Sequence, residues 1–208
     1  MGGMQALEWS IRFADRVEKA FITASSSAHS AMQIGFNETA RQAIMRDPEW
    51  QDGHYEGDGP VHGLAVARML GHLTYLSEAS FETKFSRRLQ DKPAPDYQLG
   101  IEFQVESYLR HQGDKFTKRF DANSLLYLSR AVDYFEHTSL AGASAKYLIV
   151  SYSSDWLYPT WQSAKIQQLA EAAGLSSRHI EIDLPFGHDS FLLDEAEQGR
   201  LLTEFLAD

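Results

Sequence analysis

The 208-residue sequence contains no cysteine. That excludes a disulfide scaffold, a thiolate zinc site and a cysteine nucleophile, and it suits the cytosol. No apolar run approaches the roughly 18–20 residues of a membrane span. Positive charge is scarce: 19 Lys and Arg stand against 29 Asp and Glu, for a formal charge of −10. Such a chain lacks the basic face that displaces phosphate counterions, so nucleic acid is not an expected partner. One small anion held by a local Arg stays compatible with it. The opening stretch Met1–Trp9 has no basic segment followed by an apolar one, so no signal peptide is expected.

What is present reads as three zones. Apolar residues at Met4, Leu7, Ile11, Ala14 and Val17 recur at helical steps, and Ala20–Ser25 is a short β-prone run that predicts a buried strand. From Ser26 to Gly142 the period is helical throughout, with candidates at 36–46, 61–76, 81–89, 103–112 and 124–135. Asp121, three residues ahead of Ser124, is placed to cap the last of these. The third zone alternates again: a strand at Tyr147–Tyr152, a helix opened by Pro159 and closed at Gly174, a strand at His179–Leu184, and a helix from Glu195 to Leu206. Strand–helix–strand implies parallel neighbours. The predicted fold is therefore α/β, with residues 1–25 and 143–208 forming the core and 26–142 a helical insertion over it.

In an open parallel sheet, chemistry collects beyond the C-terminal ends of the strands. One predicted strand runs into Ser153-Ser154-Asp155-Trp156 and the next into Pro185-Phe186-Gly187-His188-Asp189. An Asp that fixes one tautomer of a His is the orienting half of a catalytic triad. Spacing alone leaves open that Asp155 and His188 sit on two unrelated surface loops. Arg68 on its own reads as a solvated helix position and Asp189 as a turn or capping acid. His54, His62 and His72 lack the i, i+4 spacing of ligands on one helix face, and no metal is expected. Ser10, Ser25, Ser26, Ser27, Ser153 and Ser154 are hydroxyls outside any strand-to-helix elbow, and each reads as an ordinary helix or loop residue.

Longer motifs carry a resemblance. Gly2–Trp9, Phe36-Asn37-Glu38, Gln42-Ala43-Ile44, Ala67–Leu76, Val105–Arg110, Gln112–Phe116, Phe120–Asn123, Ser154-Asp155-Trp156 and Gly187–Leu193 resemble, in order and over essentially the whole chain, the homoserine O-acyltransferases of methionine biosynthesis. The resemblance implies an α/β-hydrolase fold with a helical lid inserted after a central strand, which agrees with the three zones. It implies a Ser that takes an acyl group from acetyl-CoA or succinyl-CoA and passes it to the hydroxyl of L-homoserine, without a bound cofactor. Carried over by motif, Asp155 orients His188, His188 is the general base and acid, Arg68 meets the substrate carboxylate and Asp189 its ammonium. Leu157, where succinyl-using members tend to carry Arg, favours the acetyl donor. A cytoplasmic homodimer formed through the lid is the expected assembly.

One departure stands out. Met1 falls where the residue after the family's nucleophile belongs, so the chain reads as a C-terminal portion without that Ser. The alternatives are a succinyl-using enzyme, or a truncated, non-catalytic protein that serves as a dimerisation partner. With earlier strands absent, the strand at Phe21 is expected to be an open edge. The expected outcome is marginal stability or aggregation in isolation, and a cooperative melt of a soluble monomer overturns it.

Overall fold

Strand β2 is apolar on both faces, and the chain is arranged to cover each. In the computed structural model, which describes residues 1–97 and 99–208, the order is α1 (Gly2–Arg12), β1 (Lys19–Thr23), α2 (Ala31–Met45), α3 (Val61–Tyr75), α4 (Glu78–Lys84), α5 (Gln104–Thr117), α6 (Ala122–Tyr134), β2 (Lys146–Tyr152), α7 (Thr160–Ala172), β3 (Ser177–Ile182), α8 (Ser190–Leu193) and α9 (Glu195–Ala207). Short 3₁₀ turns at Pro48–Gly53 and Gly187–Asp189 complete it. Among the described residues the chain divides into two units. The first is residues 1–29, 75–77 and 134–208, and the second residues 30–74 and 78–133. The second unit begins at Ser30 and ends at Asp133, against the limits of 26 and 142 set by the sequence pattern.

In the first unit the sheet order is β1-β2-β3, all parallel, with Ala20 opposite Tyr147 and Tyr147 opposite Ser177. Among the described residues β1 and β3 are its edges. Successive side chains of a strand point to opposite faces. Tyr147 and Ile149 therefore join Leu7 of α1 and Ile166, Leu169 and Ala170 of α7. Leu148, Val150 and Tyr152 join Leu201 of α9. Six of the seven β2 residues are buried, which is the signature of a strand covered on both faces.

The second unit is helical. Ser30 caps α2 through a capping box with Gln33, and Asp121 accepts the Ser124 N–H at 2.7 Å at the start of α6, as its position predicts. Ile44, Leu64, Ala67, Phe116 and Ala122 form its core. The backbones of α2 and α3 approach so closely at Gly63 that a Cβ there would lie 2.3 Å from the Ala43 carbonyl oxygen. Within this unit an ion pair joins α2 to α6: Arg41 Nη1 lies 2.7 Å from Asp133 Oδ2, with both side chains 3% exposed. Asn37 donates to the other Asp133 oxygen at 2.6 Å.

Apart from shifted ends at α2, which begins at Ala31 rather than 36, and α5, which runs to Thr117 rather than 112, two helices differ from their predicted spans in a way that involves turns. The first stops at Arg12, because residues 13–16 turn; Val17 still packs on the core, but from beyond that turn. The helix expected over 81–89 runs from Glu78 to Lys84 instead. Phe85 is nevertheless buried against Tyr108, and Leu89 bridges antiparallel to Phe103. In both places the apolar rhythm is real, but turns serve it rather than helix. Removing one partner of a buried ion pair strands the other charge. Arg41 keeps Glu38 at 3.0 Å, so Asp133→Ala is expected to cost less than the about 3–5 kcal/mol of a fully stranded charge, read as a lowered urea midpoint.

Candidate active site

The register of β2 on β3 puts Tyr152 beside Ile182, so the two strands end together and their following loops start as neighbours. Ser153 N–H donates to the Ile182 carbonyl at 3.0 Å and extends that pairing by one step. Asp155 lies just beyond, 2% exposed. A carboxylate removed from water needs hydrogen bonds from the protein. One oxygen of Asp155 accepts the backbone N–H groups of Leu157 at 3.0 Å and Tyr158 at 2.8 Å. This is the local turn that Asp side chains favour. The other oxygen meets His188 Nδ1 at 2.7 Å. With Nδ1–H donating to the carboxylate, Nε2 is the ring nitrogen left with a lone pair.

Aromatic rings surround the imidazole. Tyr158 stacks on it at 5.0 Å between centroids, Phe191 meets it edge-on at 5.1 Å, and Tyr75 lies 6.0 Å away. The Tyr158 hydroxyl is hydrogen-bonded to His29 Nε2 at 2.8 Å. Gly187, immediately before His188, has φ +71, and a Cβ on it would come within 2.4 Å of the Ser77 backbone nitrogen. A side chain at position 187 is thus excluded by conformation and by space.

Of the four site residues that the sequence suggests, Asp155 and His188 are joined directly. Asp189 adjoins His188 at the N-cap of α8, where its side chain makes no capping bond. Arg68 lies on α3 in the second unit, with its guanidinium 4.8 Å from the centroid of the Phe116 ring. That cation–π contact orients the group. Tyr158, Phe191 and Tyr75 were not picked out from the sequence. The signal for Tyr158 was its place three residues after Asp155, within the reach of that turn. Of the hydroxyls considered as stand-in nucleophiles, Ser10 donates to the Leu7 carbonyl and accepts from Tyr147, and Ser153 bonds Asp183. Ser154 bonds the loop that leads to His188.

A strand-end Asp joined to a strand-end His over a parallel sheet is the arrangement found where the alpha/beta hydrolase fold description matches residues 1–195. The chain belongs to the alpha/beta hydrolase fold family. Within that family it is 50% identical to the homoserine O-acetyltransferase of Solidesulfovibrio magneticus, over 99% of this chain and 55% of that protein. The homoserine O-acetyltransferase structure from Bacillus anthracis matches with a TM-score of 0.90 at 23% identity, over 100% of this chain and 58% of that one. Esterase E22 matches with 0.88 at 24%, over 99% and 58%. At those identities the two structures establish the family's fold alone. The chain spans about half the length of the curated relatives it matches, 55% in the first case.

Near Arg68, burial, together with the charges of Arg68 and Lys84, lowers His72 from its usual 6.5 to about 4. Burial lowers His179 as well. Between these values the unfolded chain takes up a proton that folded His72 does not. This contribution to stability is complete above pH 6.5 and falls as the pH drops toward 4. Urea midpoints measured across that window are expected to decline on acidification, and less steeply for His72→Gln.

Proposed function

We propose that this chain is the acid–base and substrate-binding portion of an acyltransferase that moves an acetyl group from acetyl-CoA to the hydroxyl of L-homoserine. The observation that carries the proposal is the 2.7 Å bond from buried Asp155 to His188, in a chain 50% identical to a homoserine O-acetyltransferase. The nucleophile of the proposed reaction is a Ser from the region of the relatives that these 208 residues do not span.

In this scheme Nε2 of His188 takes the Ser proton as the Ser oxygen attacks the thioester carbonyl. Collapse of the tetrahedral intermediate expels the CoA thiolate, which takes the proton back from His188. Nε2 then accepts the proton of the homoserine hydroxyl as that oxygen attacks the acyl-enzyme. Collapse releases O-acetylhomoserine, and His188 returns the proton to the Ser. Asp155 holds the productive tautomer throughout and stabilises the imidazolium each time it forms. A zwitterionic substrate needs one fixed cation and one fixed anion. The planar fork of Arg68 suits the carboxylate and Asp189 suits the ammonium.

Leu157 supports acetyl over succinyl, because an apolar side chain offers no partner to a second carboxylate. The scheme includes no metal or bound cofactor. Its setting is methionine biosynthesis in the cytoplasm. Tyr127 on α6, 78% exposed, is one apolar residue available for a homodimer contact through the helical unit.

The test is release of free CoA from acetyl-CoA or succinyl-CoA in the presence of L-homoserine. The chain alone is expected to be inactive. Preceded by the part of the Solidesulfovibrio relative that lies ahead of the matched region, it is expected to turn over with acetyl-CoA in preference. In that chimera Asp155→Asn should lower kcat by about 10⁴-fold, and Arg68→Lys should raise KM for homoserine. A folded chimera inactive with both donors favours the non-catalytic reading.

A further inference from the structure

The segment between β3 and His188 is held by side chains from elsewhere. Leu184-Pro185-Phe186-Gly187 has the outline of a type I turn. Pro185 is at the second position, Phe186 is at the third with φ −88 and ψ 4, and Gly187 is at the fourth. In a closed turn of this kind the first carbonyl accepts the fourth N–H. Here a hydroxyl stands in that bond. Ser154 Oγ donates to the Leu184 carbonyl, and the Gly187 N–H donates to Ser154 Oγ at 2.9 Å. Ser154 precedes Asp155, and Gly187 precedes His188. Two adjacent dipeptides are therefore joined twice, by Ser154 Oγ to Gly187 N and by Asp155 Oδ2 to His188 Nδ1 at 2.7 Å.

The other side of the turn is fixed as well. Ser77 Oγ donates to the Pro185 carbonyl, Trp156 Nε1 donates to the Leu76 carbonyl at 3.0 Å, and Gly187 packs on the Tyr75–Ser77 backbone. Of these contacts, only the Ser154 hydroxyl closes the turn and ties it to the loop that bears the carboxylate. With its proton on Leu184 and its oxygen accepting from Gly187, that hydroxyl is committed to structure, which argues against Ser154 as a nucleophile.

We propose that Ser154 is the positioning residue for His188: its hydroxyl completes the 184–187 turn and sets the imidazole on Asp155. The proposal rests on the reading of His188 as the general base, but its test needs no turnover. In the labelled chimera described above, without substrate, the Nδ1–H proton of His188 is observed by NMR, assigned by its loss in His188→Gln, and its exchange with solvent is measured. Ser154→Thr keeps the hydroxyl. Ser154→Cys keeps much of the shape but is a weak hydrogen-bonding group. Thr is expected to leave exchange within about twofold of native, and Cys to speed it about tenfold, the scale of one net hydrogen bond. Unchanged exchange in a folded Ser154→Cys overturns the proposal, as does equal loss in both variants.

A second measurement needs no variant at position 154. The Gly187 amide of the chimera with Ser154 intact is expected to exchange at least about tenfold more slowly than an open amide, because it is bonded to the hydroxyl. Exchange at the open rate overturns the proposal even if no variant folds. Failure of the acyltransfer scheme is a separate result, read only as absent CoA release.

Discussion

A carboxylate sealed from water has to find its hydrogen bonds inside the protein, and Asp155 finds three. Much of the site follows from meeting that demand. The two bonds from Leu157 and Tyr158 curl the loop after β2 back on itself, which brings the Tyr158 ring over His188. The third bond requires β3 to lie directly beside β2, so that its own following loop can deliver an imidazole to the same place. The cores on the two faces of β2 hold that strand pair rigid. Precision at a hydrogen bond of this kind comes from the packing of the elements that carry its ends.

The fold by itself does not choose the chemistry. A fold that matches an esterase and a homoserine O-acetyltransferase structure almost equally well separates neither ester hydrolysis from acyl transfer nor one acceptor from another. The proposed substrate rests instead on sequence identity to the relatives and on the two charged side chains, Arg68 and Asp189. Arg68 rests on Phe116, a member of the second unit's own core. Its orientation is therefore tied to the packing of that unit, as the orientation of His188 is tied to the first.

Much of this was legible in the sequence where local chemistry decides. Asp121 caps α6, Pro159 and Gly174 bracket α7, and the uninterrupted apolar run of β2 marks a strand covered on both faces. Asp155 and His188 were legible as a pair because both fall just past predicted parallel strands. Element ends were less so. Val17 belongs to the core without belonging to the helix before it, and periodicity alone cannot tell those apart. The start of α2 was missed although Ser30 and Gln33 spell out a capping box, since the apolar rhythm begins only at Phe36. The double role of Ser154 could not be read at all. Its partners lie 30 and 33 positions away, and nothing local distinguishes it from Ser153 beside it.

The bonds that hold Oδ1 of Asp155 come from main-chain N–H groups, one of them belonging to Leu157. Any residue other than proline supplies that donor equally well. The side chain at 157, the position connected here with the choice of acyl donor, is thus uncoupled from the acid–base pair only two residues away. Under the proposed scheme, a change of side chain at 157 alters the accepted donor without disturbing the hydrogen bonds of Asp155. In that scheme, donor selectivity and the anchoring of the carboxylate are separately evolvable within the seven residues, 153–159, between β2 and α7.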